Sequence, residues 1–236
     1  MRIDKFLSNM GVATRTESSK AARSGLILVN GAVQKRADVH IDPEVDAVTF
    51  CGREIKYKKH TYIMMNKPDG VVSATEDGRD RTVIDLLPDE LKRLDLFPCG
   101  RLDKHTLGLM LLTDDGDLAH RLLSPKHHVA KKYYFESKFP ITESERVSLE
   151  LGATLDDGYI TKPSQIELFE GAKSGYITLV EGKYHQIKRM IAASGSHVTY
   201  LERISFAELL LDGKLSRGEW RYLTEEEEKS LEAAAK

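Results

Sequence analysis

The stretch Phe97-Pro98-Cys99-Gly100-Arg101-Leu102-Asp103-Lys104-His105-Thr106-Leu107-Gly108 constrains this chain more than any other. It is a loop punctuated by Pro and Gly, and it carries Arg101 and Asp103. It runs directly into Leu109-Met110-Leu111-Leu112, which predicts a short buried strand. Asp114-Asp115-Gly116 then turns into a helix. Gly100 and Gly108 bracket the polar residues, so the backbone there can take shapes that a side chain forbids. A loop anchored on a buried strand is a common place for a catalytic carboxylate. On the residues alone, Asp103 reads first as a turn-former or as a salt-bridge partner of Arg101, and only second as a catalytic group.

Composition narrows the class. The 236 residues suffice for one large domain or two modest ones, and 41% hydrophobic with 31% charged residues describes an ordinary globular protein. No apolar run is long enough to span a membrane, and Met1-Arg2-Ile3-Asp4-Lys5 has no apolar signal region. Cys51 and Cys99 form neither a metal-ligand spacing nor a disulfide framework, so a reducing cytoplasm is the expected setting. The net charge of −2 is unevenly spread: residues 1–60 hold 11 Lys/Arg against 7 Asp/Glu, and the remainder holds 24 against 30. A basic region held apart from acidic ones is what an electrostatic RNA footprint requires, although a solvated mixed surface gives the same count.

In the first sixty residues, Ile3, Phe6, Leu7 and Met10 recur at helical spacing up to Gly11. Thr14 or Thr16 can cap a second helix that Gly25 closes. Leu26 to Val29 reads as a strand, Asn30-Gly31 as a hairpin turn, and Val45 to Phe50 as another strand. Arg2, Lys5, Arg15, Lys20 and Arg23 can line one side and contact phosphates. Gly52 to His60 reads as a linker. Strands are expected at Tyr62 to Pro68, Lys131 to Phe135, Ser164 to Phe169 and Tyr176 to Val180, with further strand material in His197 to Leu211. Helices are expected at Val83 to Leu94 (interrupted at Pro88), Asp117 to Leu123, Ser144 to Leu151, Tyr184 to Ala193 and Thr224 to Ala235. Between His120 and Tyr133 lie four Lys/Arg, three His and no acid, a basic strip just downstream of Asp103. Adjacent His127 and His128 suit a shared metal poorly, and no carboxylate or Cys accompanies them; RNA contact fits better.

The wording of these segments resembles a known family. Gly100-Arg101-Leu102-Asp103, Thr106, Gly108-Leu109 and Leu112-Thr113-Asp114-Asp115-Gly116 resemble the nucleophile motif of the pseudouridine synthases, most closely the RsuA type that modifies ribosomal RNA. His105 stands where a second Asp is usual, at a position that is not the nucleophile. Asn66-Lys67-Pro68 with Gly70 resembles the first family motif, Lys131-Lys132-Tyr133 a second, and Glu181 to Met190 a third. Arg2 to Leu7, Thr14-Arg15, Ala22 to Gly25 and Val29-Asn30-Gly31 resemble the RNA-binding module of ribosomal protein S-four. Tyr184-His185-Gln186 with Lys188 is similar to the small-subunit branch; the large-subunit branch tends to carry Asn-Arg-Gln with Arg.

The resemblance implies an α+β protein. Residues 1–59 would be a small α/β RNA-binding domain with its linker, and 60–236 a catalytic domain on a mixed, largely antiparallel sheet with flanking helices. The implied activity is isomerisation of uridine to pseudouridine in small-subunit (16S) ribosomal RNA, with Asp103 as nucleophile, Tyr133 stacking on the base and assisting proton movement, and Lys188 pairing with Asp103. Neither cofactor nor metal is implied. RNA contacts are expected from Arg101, Lys67, Arg121, His128, Lys131, Gln186, Arg2, Lys5, Arg15 and Arg23, with Arg101 filling the space that a flipped base vacates. The partner would be ribosomal RNA in an assembling small subunit, met by a monomer in the cytoplasm, with no membrane involved. A large-subunit synthase and a non-catalytic RNA-binding assembly factor are the alternatives.

Overall fold

The computed structural model describes residues 1–236, which divide into two compact units. One comprises Met1–Thr61 with Leu87–Leu96, the other Tyr62–Leu86 with Phe97–Lys236. The first unit begins with α1 (Ile3–Asn9) and α2 (Arg15–Arg23). Ile3, Phe6 and Leu7 bury one face of α1, and Gly11 ends it with φ +68°. Thr14 caps α2 in a capping box with Glu17, satisfying backbone donors that a helix start leaves open. Strands β1 (Ile27–Val29) and β2 (Ala32–Val33) form a hairpin at Asn30-Gly31, whose φ values of +51° and +79° suit a primed turn. With β3 (Val48–Phe50) and β4 (Arg53–Ile55) they make an antiparallel sheet in the order β2-β1-β3-β4. The expected linker is therefore partly strand: β4 pairs with β3 inside it. Pro88 splits the helix expected at Val83 to Leu94. A 3-10 turn precedes it at Ile84–Leu86, and one helical turn, α3 (Asp89–Lys92), follows within this first unit.

The second unit is a nine-stranded mixed sheet with helices. In chain order it contains β5 (Tyr62–Lys67), β6 (Phe97–Pro98), β7 (Leu107–Thr113), α4 (Gly116–Leu123), β8 (Lys131–Ser137), α5 (Glu143–Gly152) and β9 (Gln165–Leu168). Then come β10 (Ser174–Leu179), α6 (Gln186–Ala193), β11 (Val198–Phe206), β12 (Leu209–Leu210), β13 (Trp220–Tyr222) and α7 (Glu225–Ala234). The order is β13-β5-β7-β11-β8-β10-β9, with β12 on β11 and β6 on β7; every pairing is antiparallel except β7 with β11. β5 is buried along its whole length and β7 from Gly108 onward, as the apolar runs at Tyr62 to Met65 and Leu109 to Leu112 favour. Met64, Leu109, Leu111, Leu118, Leu122, Phe206 and Leu231 share one core cluster. On β8 the pattern alternates: Tyr133 and Phe135 are buried, while Tyr134 turns to a partly open face with Tyr176, Tyr200 and Phe169. Thr224 and Glu227 form the expected capping box of α7. None of the helices is long and apolar enough to cross a membrane.

Candidate active site

The loop from Cys99 to Thr106 is fastened at both ends and in the middle. Cys99 N–H donates to Leu111 C=O (2.8 Å) and Thr106 N–H to Asp103 C=O (3.0 Å). Ser73 Oγ accepts from Leu102 N–H (3.0 Å) and donates to Leu102 C=O (2.9 Å), so one side chain holds both backbone groups next to Asp103. Gly70 N–H donates to Lys104 C=O (3.0 Å). Beneath the loop, the Lys67 ammonium donates to the carbonyls of Pro68, Lys104 and Thr106 at 3.1, 3.1 and 2.9 Å. Burial pushes Lys67 down to about 8, with Asp69 and Asp103 acting against that fall.

Gly108 closes the loop with φ +97°, and a Cβ there would lie 2.3 Å from Arg203 C=O. Only glycine lets β7 approach β11 so closely. Gly108 pairs with Lys67 on one side and Arg203 on the other, and Arg203 pairs with Tyr133, which faces Ile177. One cross-strand row therefore carries Lys67, the end of the Asp103 loop, Arg203 and Tyr133. Arg203 is buried, donates from Nε to Leu109 C=O (2.8 Å), and leaves Nη2 without a partner.

The third contribution comes from the start of α6. Gln186 is buried; its Oε1 accepts from Lys183 N–H (2.8 Å) and its Nε2 donates to Glu181 (2.7 Å). Glu181 in turn accepts from Lys162 N–H (2.9 Å) and the Tyr159 hydroxyl (2.8 Å), which fixes the turn ahead of the helix. Ile187, Met190 and Ile191 bury the apolar face of α6. From its other side Lys188 Nζ reaches Asp103 Oδ2 at 2.9 Å, and His185 Nε2 stands 3.6 Å from Oδ1. An ammonium at this distance holds one oxygen of the carboxylate and restricts its rotation. The arrangement offers a partly exposed carboxylate, held by a cation and mounted on a rigid loop, suited to nucleophilic or general-base work. No three His, Cys, Asp or Glu side chains gather so as to hold a metal.

The other expected contacts divide into surface and interior. Arg101, Arg121 and His128 are exposed, as are Arg2, Lys5, Arg15 and Arg23 of the first unit. Arg2 is already bonded to Asp4 at 2.6 Å. Lys67 and Gln186 depart from the expectation of RNA contact: Lys67 is spent on three carbonyls and Gln186 on the turn before α6. Lys131 is also drawn inward, donating to Val129 C=O (3.0 Å) over the Phe206 ring, and burial pushes it down to about 8. Sequence reasoning missed Ser73, His185 and Arg203. His185 lies three residues before Lys188 at a helix start, a spacing that could have paired them. Nothing local marks Ser73, and Arg203 looks like any strand arginine.

An RNA pseudouridylate synthase family model matches residues 61–193, and an S4 domain model matches residues 1–46. The chain is 46% identical over 230 residues to the uncharacterized RNA pseudouridine synthase YtzG of Bacillus subtilis, covering 96% of each. It is 42% identical to ribosomal small subunit pseudouridine synthase A of Vibrio cholerae, over 98% of this chain and 99% of the other. A crystal structure of a pseudouridylate synthase superposes with a TM-score of 0.69 at 36% identity, covering 98% of this chain and 99% of that one. These matches define the class, an RNA-modifying isomerase with an S4 domain ahead of its catalytic domain. The chain belongs to the RNA pseudouridine synthases of the RsuA family.

Proposed function

We propose that this protein converts one uridine of small-subunit (16S) ribosomal RNA to pseudouridine, with Asp103 acting on the bound nucleotide. The single observation behind the catalytic assignment is the 2.9 Å pair between Asp103 and Lys188 on the fastened loop. Small-subunit specificity is supported by the name of the Vibrio cholerae relative and by the Tyr184-His185-Gln186 wording. The division of labour follows the sequence: residues 1–59 bind RNA and 60–236 carry out the chemistry, as a monomer in the cytoplasm, on RNA in an assembling small subunit.

The reaction detaches uracil from the ribose at N1, turns it, and rejoins it through C5. The target base must first leave its stack, because a protein carboxylate cannot reach it inside a helix. Arg101, exposed two residues before Asp103, fills the vacated space with its planar guanidinium. Asp103 Oδ1, the oxygen that Lys188 does not hold, attacks the sugar or serves as base. Tyr133 stacks on the uracil and assists proton movement. The test is to map pseudouridine across unmodified small- and large-subunit RNA, free and in particles, after incubation with the protein. One new site in small-subunit RNA is expected. A site in large-subunit RNA would overturn the subunit assignment, and RNA binding without modification would overturn the catalytic one.

A further inference from the structure

Asp103 has a neighbour at each oxygen, and only one of them is bonded to it. Lys188 holds Oδ2, while His185 Nε2 faces Oδ1 at 3.6 Å, close but beyond a hydrogen bond. His185 occupies the N-cap of α6 with φ +48° and ψ +33°, a left-handed conformation. An N-cap is ordinarily extended, and the left-handed region is uncommon for residues other than Gly, with Asn, Asp and His entering it more readily than the rest. Strain of this kind persists where surrounding structure imposes it, and it gathers at functional sites. Here the Gln186–Glu181 bonds fix the turn, and Tyr184 stacks on the imidazole with centroids 3.9 Å apart and planes 19° from parallel. The result holds a partly exposed imidazole against the free oxygen of the carboxylate, its side chain 37% accessible against 28% for Asp103.

We propose that His185 is a further catalytic residue, the acceptor for the proton that leaves C5; this rests on the Asp103 reading above. When the ribose has moved to C5, that carbon still carries its hydrogen. The C5–H bond breaks, its electron pair forms C5=C6, the C6=N1 pair moves onto N1, and N1 takes a proton from water. The C5 proton goes to Asp103 Oδ1 and from there to His185 Nε2, which releases it to solvent. The Lys188 ammonium is a donor and cannot accept it. Histidine is the side chain that changes charge near neutrality, and it must be neutral here to accept. The groups set about the imidazole are Asp103 from the loop, Lys188 from α6 and the Tyr184 ring; Arg189 of the same helix donates to Tyr184 C=O (3.4 Å) and pairs with Asp156 and Asp157.

The test follows single-turnover pseudouridine formation on small-subunit RNA transcript carrying hydrogen or deuterium at uridine C5, from about pH 5.5 to about pH 8.5, around the histidine range. Wild type is compared with His185→Asn, which tolerates left-handed backbone, and His185→Arg, a permanent cation. Wild type should lose rate on the acid side. Both variants should lose that acid limb, run about 100-fold slower at the alkaline plateau, and show a larger deuterium effect with unchanged RNA affinity. A folded variant with the wild-type acid limb and no added deuterium effect would overturn the proposal, even if slower. If wild-type protein forms no pseudouridine, the Asp103 reading fails as well, and the two failures are distinguishable.

Discussion

Lys188 presents its ammonium to one oxygen of Asp103 and leaves the other clear of it. A carboxylate so paired keeps one orientation without surrendering both oxygens. Lys188→Met should therefore lower the rate of pseudouridine formation by about 100-fold or more, on the scale of losing one charge-stabilising group, while RNA affinity and thermal stability stay near wild type. Lys188→Arg should recover part of the rate. Unchanged turnover in Lys188→Met would contradict the pairing. Two other lysines carry a stability signature. In the native protein Lys67 and Lys131 are both pushed from 10.5 to about 8 by burial, so above that pH the unfolded chain binds more protons than the folded one. Their contribution is flat below about pH 8 and rises with pH up to about 10, where Tyr62, its hydroxyl bonded to Asp115, pulls the other way. Urea denaturation should show a gain of up to about 4 kcal/mol between about pH 7.5 and 9.5, nearly half of it from each lysine. The gain should shrink in Lys131→Met. Spaced motifs in the sequence single out Asp103, Tyr133 and Lys188, and the fold brings the first and last of them within 2.9 Å. The fate of Lys67 was not legible there, because the carbonyls that consume its ammonium belong to Lys104 and Thr106, far along the chain.

At the scale of elements, the row through Lys67, Gly108, Arg203 and Tyr133 depends on one glycine. Gly108→Ala would place a methyl 2.3 Å from Arg203 C=O at a backbone φ of +97°. The only relief is to part the sole parallel pairing of the sheet, β7 with β11. We expect a loss of about 3 kcal/mol or more in denaturation, together with a loss of activity as the Asp103 loop and Tyr133 fall out of register. A stable, active Gly108→Ala protein would show that the close approach is dispensable. The long apolar strands β5 and β7 and the capped helices α2 and α7 announce themselves, because composition and caps act locally. β6, β13 and β4 do not: each is two or three residues long and exists only because a neighbouring strand offers it hydrogen bonds. The start of α6 was expected at Tyr184 and falls at Gln186, since the left-handed turn at His185 answers to tertiary contacts.

Over the whole molecule the two signs of charge are unevenly spread. Residues 1–60 carry a surplus of four Lys/Arg, and Lys5, Arg15 and Arg23 stand exposed there. Replacing these three by Gln should weaken binding to ribosomal RNA and reduce the slope of log affinity against log salt by about one for each phosphate that is no longer neutralised. Turnover at saturating RNA should be unchanged, and an unaltered salt slope would remove this segment from the RNA interface. The N-terminal module and the catalytic sheet were both readable from wording that spans the chain. The excursion of Leu87–Leu96 into the first unit was not, since a short helix after Pro88 carries no sign of its destination. The proposed chemistry depends on Asp103, so the decisive variant is Asp103→Ala, with pseudouridine formation and RNA binding measured on the same ribosomal RNA preparation. The variant should fold and bind as wild type does and form no detectable pseudouridine. Pseudouridine at the wild-type position, formed at the wild-type rate, would remove Asp103 from the reaction.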